Sequence, residues 1–375
     1  MKQIKLLYIL GTRPEVIKLA PLILTSKNDG QLGTVVCHTG QHKELASSAL
    51  VTFGIKPEYD LALMKAEQSL SSQVAKLLSK LETVIQNEQP QLVIVQGDTS
   101  SALAGAMAAF YQQIPVAHIE AGLRSKIKTD PFPEEINRRL ISQFAELHFC
   151  PTNSNLENLN IETVTGSKYI TGNTGLDAVA LIQSRMEKIP PLPEVGSLLE
   201  MDELIIITIH RRENQGVKLE QILAALKTLS EKYQDKNFLF FLHPNPVVKE
   251  VITAYLADSK IQLLEPVSFT SMIRLLTKAS LLITDSGGLQ EESTFIGCPT
   301  IIVRQTTERQ EAVDAGLALL AAPETESIVT AVGQVLDDAT VRQQMAKKSK
   351  VFGNGSASES ILNHIKKFVS KHPDK

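Results

Sequence analysis

Short apolar runs alternate with amphipathic segments along the whole chain. Ile4–Leu10, Thr34–His38, Leu92–Gln96, Val116–Ile119, Leu147–Cys150 and Tyr169–Thr171 read as strands buried on both faces, because apolar residues follow one another without regular polar alternation. A second series follows at Leu204–Ile209, Phe238–Leu242, Ile261–Leu264, Leu281–Thr284 and Thr300–Val303. Helix-period segments such as Ser71–Gln86, Leu219–Tyr233 and Ser268–Ala279 lie between them. Strands and helices in alternation predict an α/β protein whose parallel sheets are covered by helices on both faces.

The two series are separated by Thr171–Met201, one helical stretch followed by the Pro/Gly-rich piece IPPLPEVGS. The expectation is two doubly wound Rossmann-like domains with an interdomain cleft. They cover residues 1–172 and 173–356, and residues 357–375 form a helix (Ser358–Val369) that returns to the first domain. Ligands in such folds bind beyond the carboxyl ends of the strands, so the informative residues are the polar ones just after each strand.

Composition narrows the class. A chain of 375 residues with 43% hydrophobic content has enough apolar surface for two cores. Its net charge of −3, with acids and bases interspersed, argues against nucleic acid or an anionic membrane as partner. Cys37, Cys150 and Cys298 are scattered and form no CxxC pair, the pattern of buried free thiols in a reducing compartment. The N-terminal apolar run has no small-residue cleavage site after it, and no stretch of ~18 apolar residues occurs, so a cytoplasmic location is expected.

Candidate chemistry then falls at the strand ends. After the first strand, Thr12 and Glu15 have capping-box spacing and Pro14 suits a first helical turn, so a helix beginning there aims its N-terminus at the cleft beside Arg13 and Lys18. An ordinary capped helix with solvated cations explains this segment as well. Neither GxGxxG nor GxxxxGK[ST] is present. Asp98 and Glu120 follow two strands of one βαβ unit, and Glu134-Glu135 open the next helix after Pro131-Phe132-Pro133. Several carboxylates at one mouth suit acid/base work, whereas each alone is equally a helix cap or a dipole partner. The first strand of the second series ends in His210-Arg211-Arg212-Glu213-Asn214, a phosphate-binding or proton-shuttling cluster. His243 has the same placement before Pro244-Asn245-Pro246. His118-x-Glu120 begins like a zinc deaminase signature, but no PCxxC follows to complete the ligands. Finally Ser286-Gly287-Gly288 leads from a strand into a helix carrying Glu292, with Arg309 after the next strand, an arrangement suited to a sugar nucleotide.

The segments GTRPEVIKLAPL, TGQH, QGDTSSALAGAMAAFYQQIPVAHIEAGLRS, PFPEEINRR, TGNTGLDA, IHRREN, HPNP, TDSGGLQEES and TTERQEAV run in order from Gly11 to Val313. Together they closely resemble the non-hydrolysing UDP-N-acetylglucosamine 2-epimerases. The resemblance implies a glycosyltransferase-B-like fold, a homodimer, a UDP-N-acetylhexosamine substrate, and neither metal nor nicotinamide cofactor. It implies that Asp98, Glu120 and Glu134 are the catalytic carboxylates and that His210 supports the pyrophosphate or catalysis. Arg13, Lys18, Gln41 and Arg211 would contact the substrate, while Ser286, Gly287, Gly288, Glu292 and Arg309 hold UDP. It also implies elimination of UDP to a 2-acetamidoglucal and re-addition. The stretch Ser125-Lys126-Ile127-Lys128-Thr129-Asp130 departs from the family pattern, and Lys43-Glu44 follow TGQH where relatives carry an allosteric site. Alternatives on the same fold are a 2-epimerase of a UDP-diacetamido uronic acid, a hydrolysing 2-epimerase and a glycosyltransferase.

Overall fold

The computed structural model describes residues 3–41, 43–63, 68–129, 131–186, 193–242 and 245–372, with the side chains of residues 43–45 and 212 outside the description. His42, Asp130 and His243, and the part of the linker at residues 187–192, therefore lie outside the described residues, as do the side chains of Lys43, Glu44 and Arg212.

The apolar runs form two all-parallel sheets. The first contains β1 (Ile4–Leu10), β2 (Leu32–His38), β3 (Tyr59–Asp60), β4 (Leu92–Gln96), β5 (Val116–Ile119), β6 (Leu147–Cys150) and β7 (Ser167–Ile170), in the order β3-β2-β1-β4-β5-β6-β7. The second contains β8 (Leu204–Thr208), β9 (Asn237–Phe241), β10 (Gln262–Leu264), β11 (Leu281–Thr284), β12 (Thr300–Val303) and β13 (Ala318–Ala321), in the order β10-β9-β8-β11-β12-β13. In both, the chain winds one way from the first strand and then reverses, the doubly wound Rossmann-like topology. The reversal leaves a crevice at the carboxyl ends of β1 and β4 in one sheet and of β8 and β11 in the other.

Two compact units result, Met1–Leu181 with Gly353–Lys375, and Ile182–Phe352. The change of unit falls inside the helix Thr174–Arg185, nine residues later than the 172/173 position read from the linker composition, because the start of that helix stays with the first unit. The last helix, Ala357–Lys371, belongs to the first unit: its Ala357 and Ser358 amides donate to Asp177 at 3.0 and 2.6 Å.

Burial explains why the central strands are legible. Leu92, Val93, Ile94 and Val95 of β4 are fully buried, each worth roughly 2 kcal/mol of hydrophobic stabilisation. The helix Ser100–Tyr111 that follows is rich in alanine and lies close on the sheet; a Cβ on Gly105 would meet Ile9 Cδ1 at 3.0 Å and Val95 Cγ1 at 3.1 Å. Thr208 and Thr284 join the ends of β8 and β11 through their hydroxyls at 2.7 Å. The three cysteines are buried free thiols. Among the described residues, no helix is long and apolar enough to cross a membrane.

Candidate active site

In the first unit the site begins with a buried carboxylate. The helix Arg13–Lys27 is N-capped at Thr12 by a capping box, and its Glu15, 1% exposed, accepts from the Gly11 and Thr12 amides at 3.0 and 2.7 Å. The other Glu15 oxygen accepts from Thr99 Oγ1 at 2.7 Å, so one side chain ties the turn after β1 to the turn after β4. Burial raises the Glu15 carboxyl above its ordinary value, against the hydrogen bonds from Thr99, Thr12 and Gly11 that favour its charged form. Arg13 and Lys18 emerge half-buried from this clamped helix start.

Asp98 is held from three sides. Before it, the carbonyl of Gly97 (φ +70°) lies 2.8 Å from His118 Nε2, and since a carbonyl only accepts, that nitrogen carries the proton. After it, Thr99 is fastened by Glu15. At Asp98 itself, Asn137 Nδ2 donates to the carbonyl at 2.9 Å, and Arg138 donates to Oδ2 through Nε at 2.9 Å and also through Nη2. Both arginine bonds fall on Oδ2, and among the described residues Oδ1 receives none. The Asp98 side chain keeps 22% exposure. Burial pushes its carboxyl above the usual value, the Arg138 charge opposes that, and the charges of Glu120 and Glu134 add to the rise.

Glu120 follows β5 in the left-handed region at φ +64°, a conformation costing a non-glycine residue about 1–2 kcal/mol. Its side chain pairs with Lys18 Nζ through one oxygen and accepts from Gln96 Nε2 through the other. Glu134 opens the helix Glu134–Phe144, half-buried. Glu135, fully buried, braces that helix: it accepts from the Ser125 amide at 2.9 Å and pairs with Arg138 at 3.3 Å and Arg139 at 2.8 Å. Gln41 is engaged locally, its Oε1 accepting from Ser101 Oγ at 2.8 Å.

In the second unit the residues are of the opposite kind. Asp285, directly after β11 and fully buried, accepts from the His210 amide at 3.0 Å, the Arg211 amide at 2.9 Å and Asn214 Nδ2 at 3.0 Å. Ser286 then stands at the N-cap position of the helix Gly287–Ile296, its amide donating to Thr284 Oγ1 at 3.0 Å. Gly287 is required by close approach, because a Cβ there would lie 2.9 Å from Arg309 Cζ; one on Gly288 would lie 3.5 Å from Glu292 Oε1. Arg309 is held by Glu291 at 2.8 Å. Arg304, Arg309 and Arg211 approach Glu308 at 2.6, 3.5 and 4.0 Å. Burial disfavours the charged Glu308, but the Arg304 hydrogen bond and the charges of Arg309, Arg304 and Arg211 outweigh it and bring its pKa down to about 2.

The structure thus gathers Asp98, Glu120, Glu134, Arg13, Lys18 and Gln41 at or beside the crevice of the first sheet. His210, Arg211, Ser286, Gly287, Gly288, Glu292 and Arg309 lie at that of the second. Sequence reasoning overlooked the residues that hold them: Gln96, Asn137, Arg138, Asp285, Arg304 and Glu308. Two carried a readable signal. Arg138 sits four residues after Glu134 on one helical face, and Asp285 follows an apolar strand just as Asp98 does. His118 proves a buried neutral residue, its pKa lowered by desolvation to about 3.

Comparison with known proteins accounts for this pair of sites. Residues 25–366 match the family model for UDP-N-acetylglucosamine 2-epimerase. A UDP-N-acetylglucosamine 2-epimerase of Bacillus subtilis is 38% identical over 367 residues, covering 97% of this chain and 96% of its own. The crystal structure of UDP-GlcNAc 2-epimerase from Neisseria meningitidis bound to UDP-GlcNAc matches with a TM-score of 0.90 and 37% identity, covering 97% of this chain and all of that one. MurG of Acinetobacter baumannii, 16% identical with a TM-score of 0.58, shares the glycosyltransferase-B-like fold alone. The full-length match in sequence and structure makes this chain a member of the UDP-N-acetylglucosamine 2-epimerase family, a family of isomerases.

Proposed function

We propose that this chain interconverts UDP-N-acetylglucosamine and UDP-N-acetylmannosamine without hydrolysing either, by elimination and re-addition of UDP. A carboxylate takes the C2 proton, the C1–O bond breaks with its electron pair leaving on UDP, and a C1=C2 double bond forms. UDP then returns through its oxygen to C1, and a proton is delivered to the opposite face of C2. Proton transfer is needed on two faces, and each positioned acid or base contributes roughly 10²–10⁴ in rate.

The observation that carries this reading is the group around Asp98, where burial first, and then the charges of nearby Glu120 and Glu134, push its carboxyl above the usual value against the Arg138 charge. A carboxyl raised in this way exchanges protons nearer to working pH, as a C2 base must. The Lys18 and Gln96 bonds orient Glu120, a second proton-transfer group with a different setting. His210, Arg211, Arg309 and the amides at the Ser286–Gly288 helix start are assigned to UDP, where preorganised donors stabilise the departing diphosphate. Arg13 and Gln41 are assigned to the substrate beside the carboxylates.

The test is incubation with UDP-N-acetylglucosamine in D₂O, without added metal or nicotinamide, followed by NMR at C2. UDP-N-acetylmannosamine deuterated at C2 is expected. Free N-acetylmannosamine would move the chain to the hydrolysing class, and no exchange at C2 would sink the substrate assignment. A second substrate belongs in the same assay, because Lys126 and Lys128 stand exposed on the loop that Glu135 anchors: turnover of a UDP-diacetamido uronic acid in preference would reassign the sugar.

The proposed working form is a homodimer in the cytoplasm. In support, Phe110 (51% exposed), Tyr111 (65%) and Leu140 (43%) stand exposed on the helices Ser100–Tyr111 and Glu134–Phe144, which meet where the Phe110 and Phe144 rings are 5.3 Å apart. Sedimentation is expected to give twice the chain mass, and Phe110→Glu to give monomers.

A further inference from the structure

Resting on the nucleotide role proposed for the loop after β8, we propose that Asp285 is the positioning residue that sets His210 and Arg211 for the UDP diphosphate. The loop from His210 to Asn214 has little regular structure of its own, only the short turn Arg212–Asn214. Arg304 pairs with its Glu213 at 2.9 Å, and one side chain from the neighbouring strand end holds three of its residues. Asp285 has no exposure, and its Oδ2 accepts from the His210 amide at 3.1 Å, the Arg211 amide at 2.9 Å and Asn214 Nδ2 at 3.0 Å, while Oδ1 accepts from the His210 amide at 3.0 Å. The Asp285 carbonyl accepts in addition from Arg211 Nε at 3.0 Å, which fixes the guanidinium as well as the backbone. Asn214 passes the restraint on to β12 through the Val303 carbonyl at 3.0 Å.

The chemistry requires a carboxylate here. Amide and side-chain N–H groups of three residues converge on it, and an acceptor-only group meets them with both of its oxygens. An asparagine of the same shape keeps one oxygen for the three donors but turns its NH₂ toward the His210 amide, so one branch of that bond is lost and two N–H groups face each other in a buried place. Asp285 also immediately precedes Ser286, at the N-cap position of the glycine helix. One residue therefore fixes the arginine loop and the helix start in a common frame, and a diphosphate gripped by both meets donors already in place.

A merely structural buried acid would lower stability without touching nucleotide recognition, so the test separates the two. UDP binding to the full chain is measured by calorimetry, and the phosphorus NMR shifts of bound UDP are recorded, under conditions where circular dichroism shows each variant folded. Asp285→Asn is expected to weaken UDP about tenfold or more and to shift the phosphorus signals. Thr208→Val, which removes the nearby Thr208–Thr284 hydroxyl bond, is expected to keep UDP affinity within about twofold while also lowering the melting temperature. Unchanged affinity and shifts in Asp285→Asn, or equal losses in both variants, would overturn the assignment. Should Asp285→Asn fail to fold, Asn214→Ala carries the test: about threefold weaker UDP is expected, and parental affinity overturns the proposal. A parent chain that does not bind UDP would overturn the proposed function together with this inference, whereas parental binding with an indifferent Asp285→Asn overturns this inference alone.

Discussion

The two units share one scaffold and set groups of opposite electrostatic character at its crevice. Each is an all-parallel sheet in which the chain reverses beside its first strand, and in each a buried carboxylate fastens the two turns at that reversal, Glu15 in the first and Asp285 in the second. Around Asp98 burial and neighbouring carboxylates raise the pKa, giving a group able to exchange protons. Around Glu308 three arginines bring it down to about 2, giving a group that stays charged and serves only to hold guanidinium ions. The shared winding therefore says where a ligand binds, and the residues at the strand ends decide what can be done there.

The sharpest way to break this comparison is to disable one unit and assay the other. Asp98→Asn keeps the side-chain shape and the Arg138 contact but removes the base. Solvent deuterium incorporation at C2 is expected to fall by roughly 10²–10⁴, while UDP affinity stays within about twofold. A parallel loss of UDP binding would show that the division of labour is wrong.

Acid should distinguish the units next. His118 is buried and neutral with a folded pKa of about 3, and His148, its neighbour across β5 and β6, is lowered by desolvation to about 4. Both are depressed below the unfolded value of 6.5, so the stability they contribute is present above that pH and is lost as pH falls toward the folded pKa. Each pH unit within the window costs up to about 1.4 kcal/mol per histidine. Between pH ~6.5 and ~5 the parent should therefore lose about 2 kcal/mol more than His118→Gln, as read by denaturant titration. Glu308 is also depressed, but its contribution is lost only as pH falls below the ordinary carboxylate range toward about 2. Hydrogen exchange should accordingly loosen β5 and β6 at a higher pH than β11 and β12. Equal acid sensitivity of parent and His118→Gln would remove the histidine explanation.

Much of this was legible in the sequence, and the gaps have physical causes. Leu92–Gln96, Val116–Ile119, Leu147–Cys150, Leu281–Thr284 and Thr300–Val303 form strands with the bounds read from their apolar runs, because strands buried on both faces need no polar positions. The expected Tyr169–Thr171 appears as Ser167–Ile170, an edge strand without a fully buried residue and so without that signature. Tyr59–Asp60 is too short to show a pattern, and Ala318–Ala321, also at an edge, is half-exposed in its middle. At the site, groups at strand ends could be read locally, whereas their holders could not. Arg138 reaches Asp98 across 40 residues and Asp285 reaches His210 across 75, contacts that only the folded sheet order creates.

A smaller effect probes how closely the second unit lets backbone approach ligand. Gly287→Ala adds a Cβ 2.9 Å from Arg309 Cζ, a guanidinium pinned by Glu291 and so slow to yield. Alanine favours a helix by up to about 1 kcal/mol over glycine, but displacing the pinned guanidinium outweighs that, so stability should fall slightly. UDP affinity is expected to drop about fivefold to tenfold, with the C2 exchange rate at saturating substrate reduced far less. Unchanged UDP affinity would remove this turn from the nucleotide site.

The smallest expected effect tests whether the first unit can be disturbed at its seam without consequence for the second. Lys366 of the returning helix pairs with Asp29 at 2.8 Å, and that hydrogen bond holds the Asp29 carboxyl below its usual range. Both side chains keep about a quarter of their exposure, where such pairs contribute about 0–1 kcal/mol and are weakened by salt. The buried Asp177 cap on Ala357 and Ser358 is the stronger tie. Lys366→Ala should therefore speed amide exchange modestly in Ala357–Lys371 at low salt, with the difference shrinking at high salt. UDP affinity and protection of β8 and β11 should stay at the parental level, because the second unit is one unbroken segment, Ile182–Phe352, that owes nothing to this helix for its core. A fall in UDP affinity from so slight a change at the far end of the chain would mean that the two units do not keep separate chemistry.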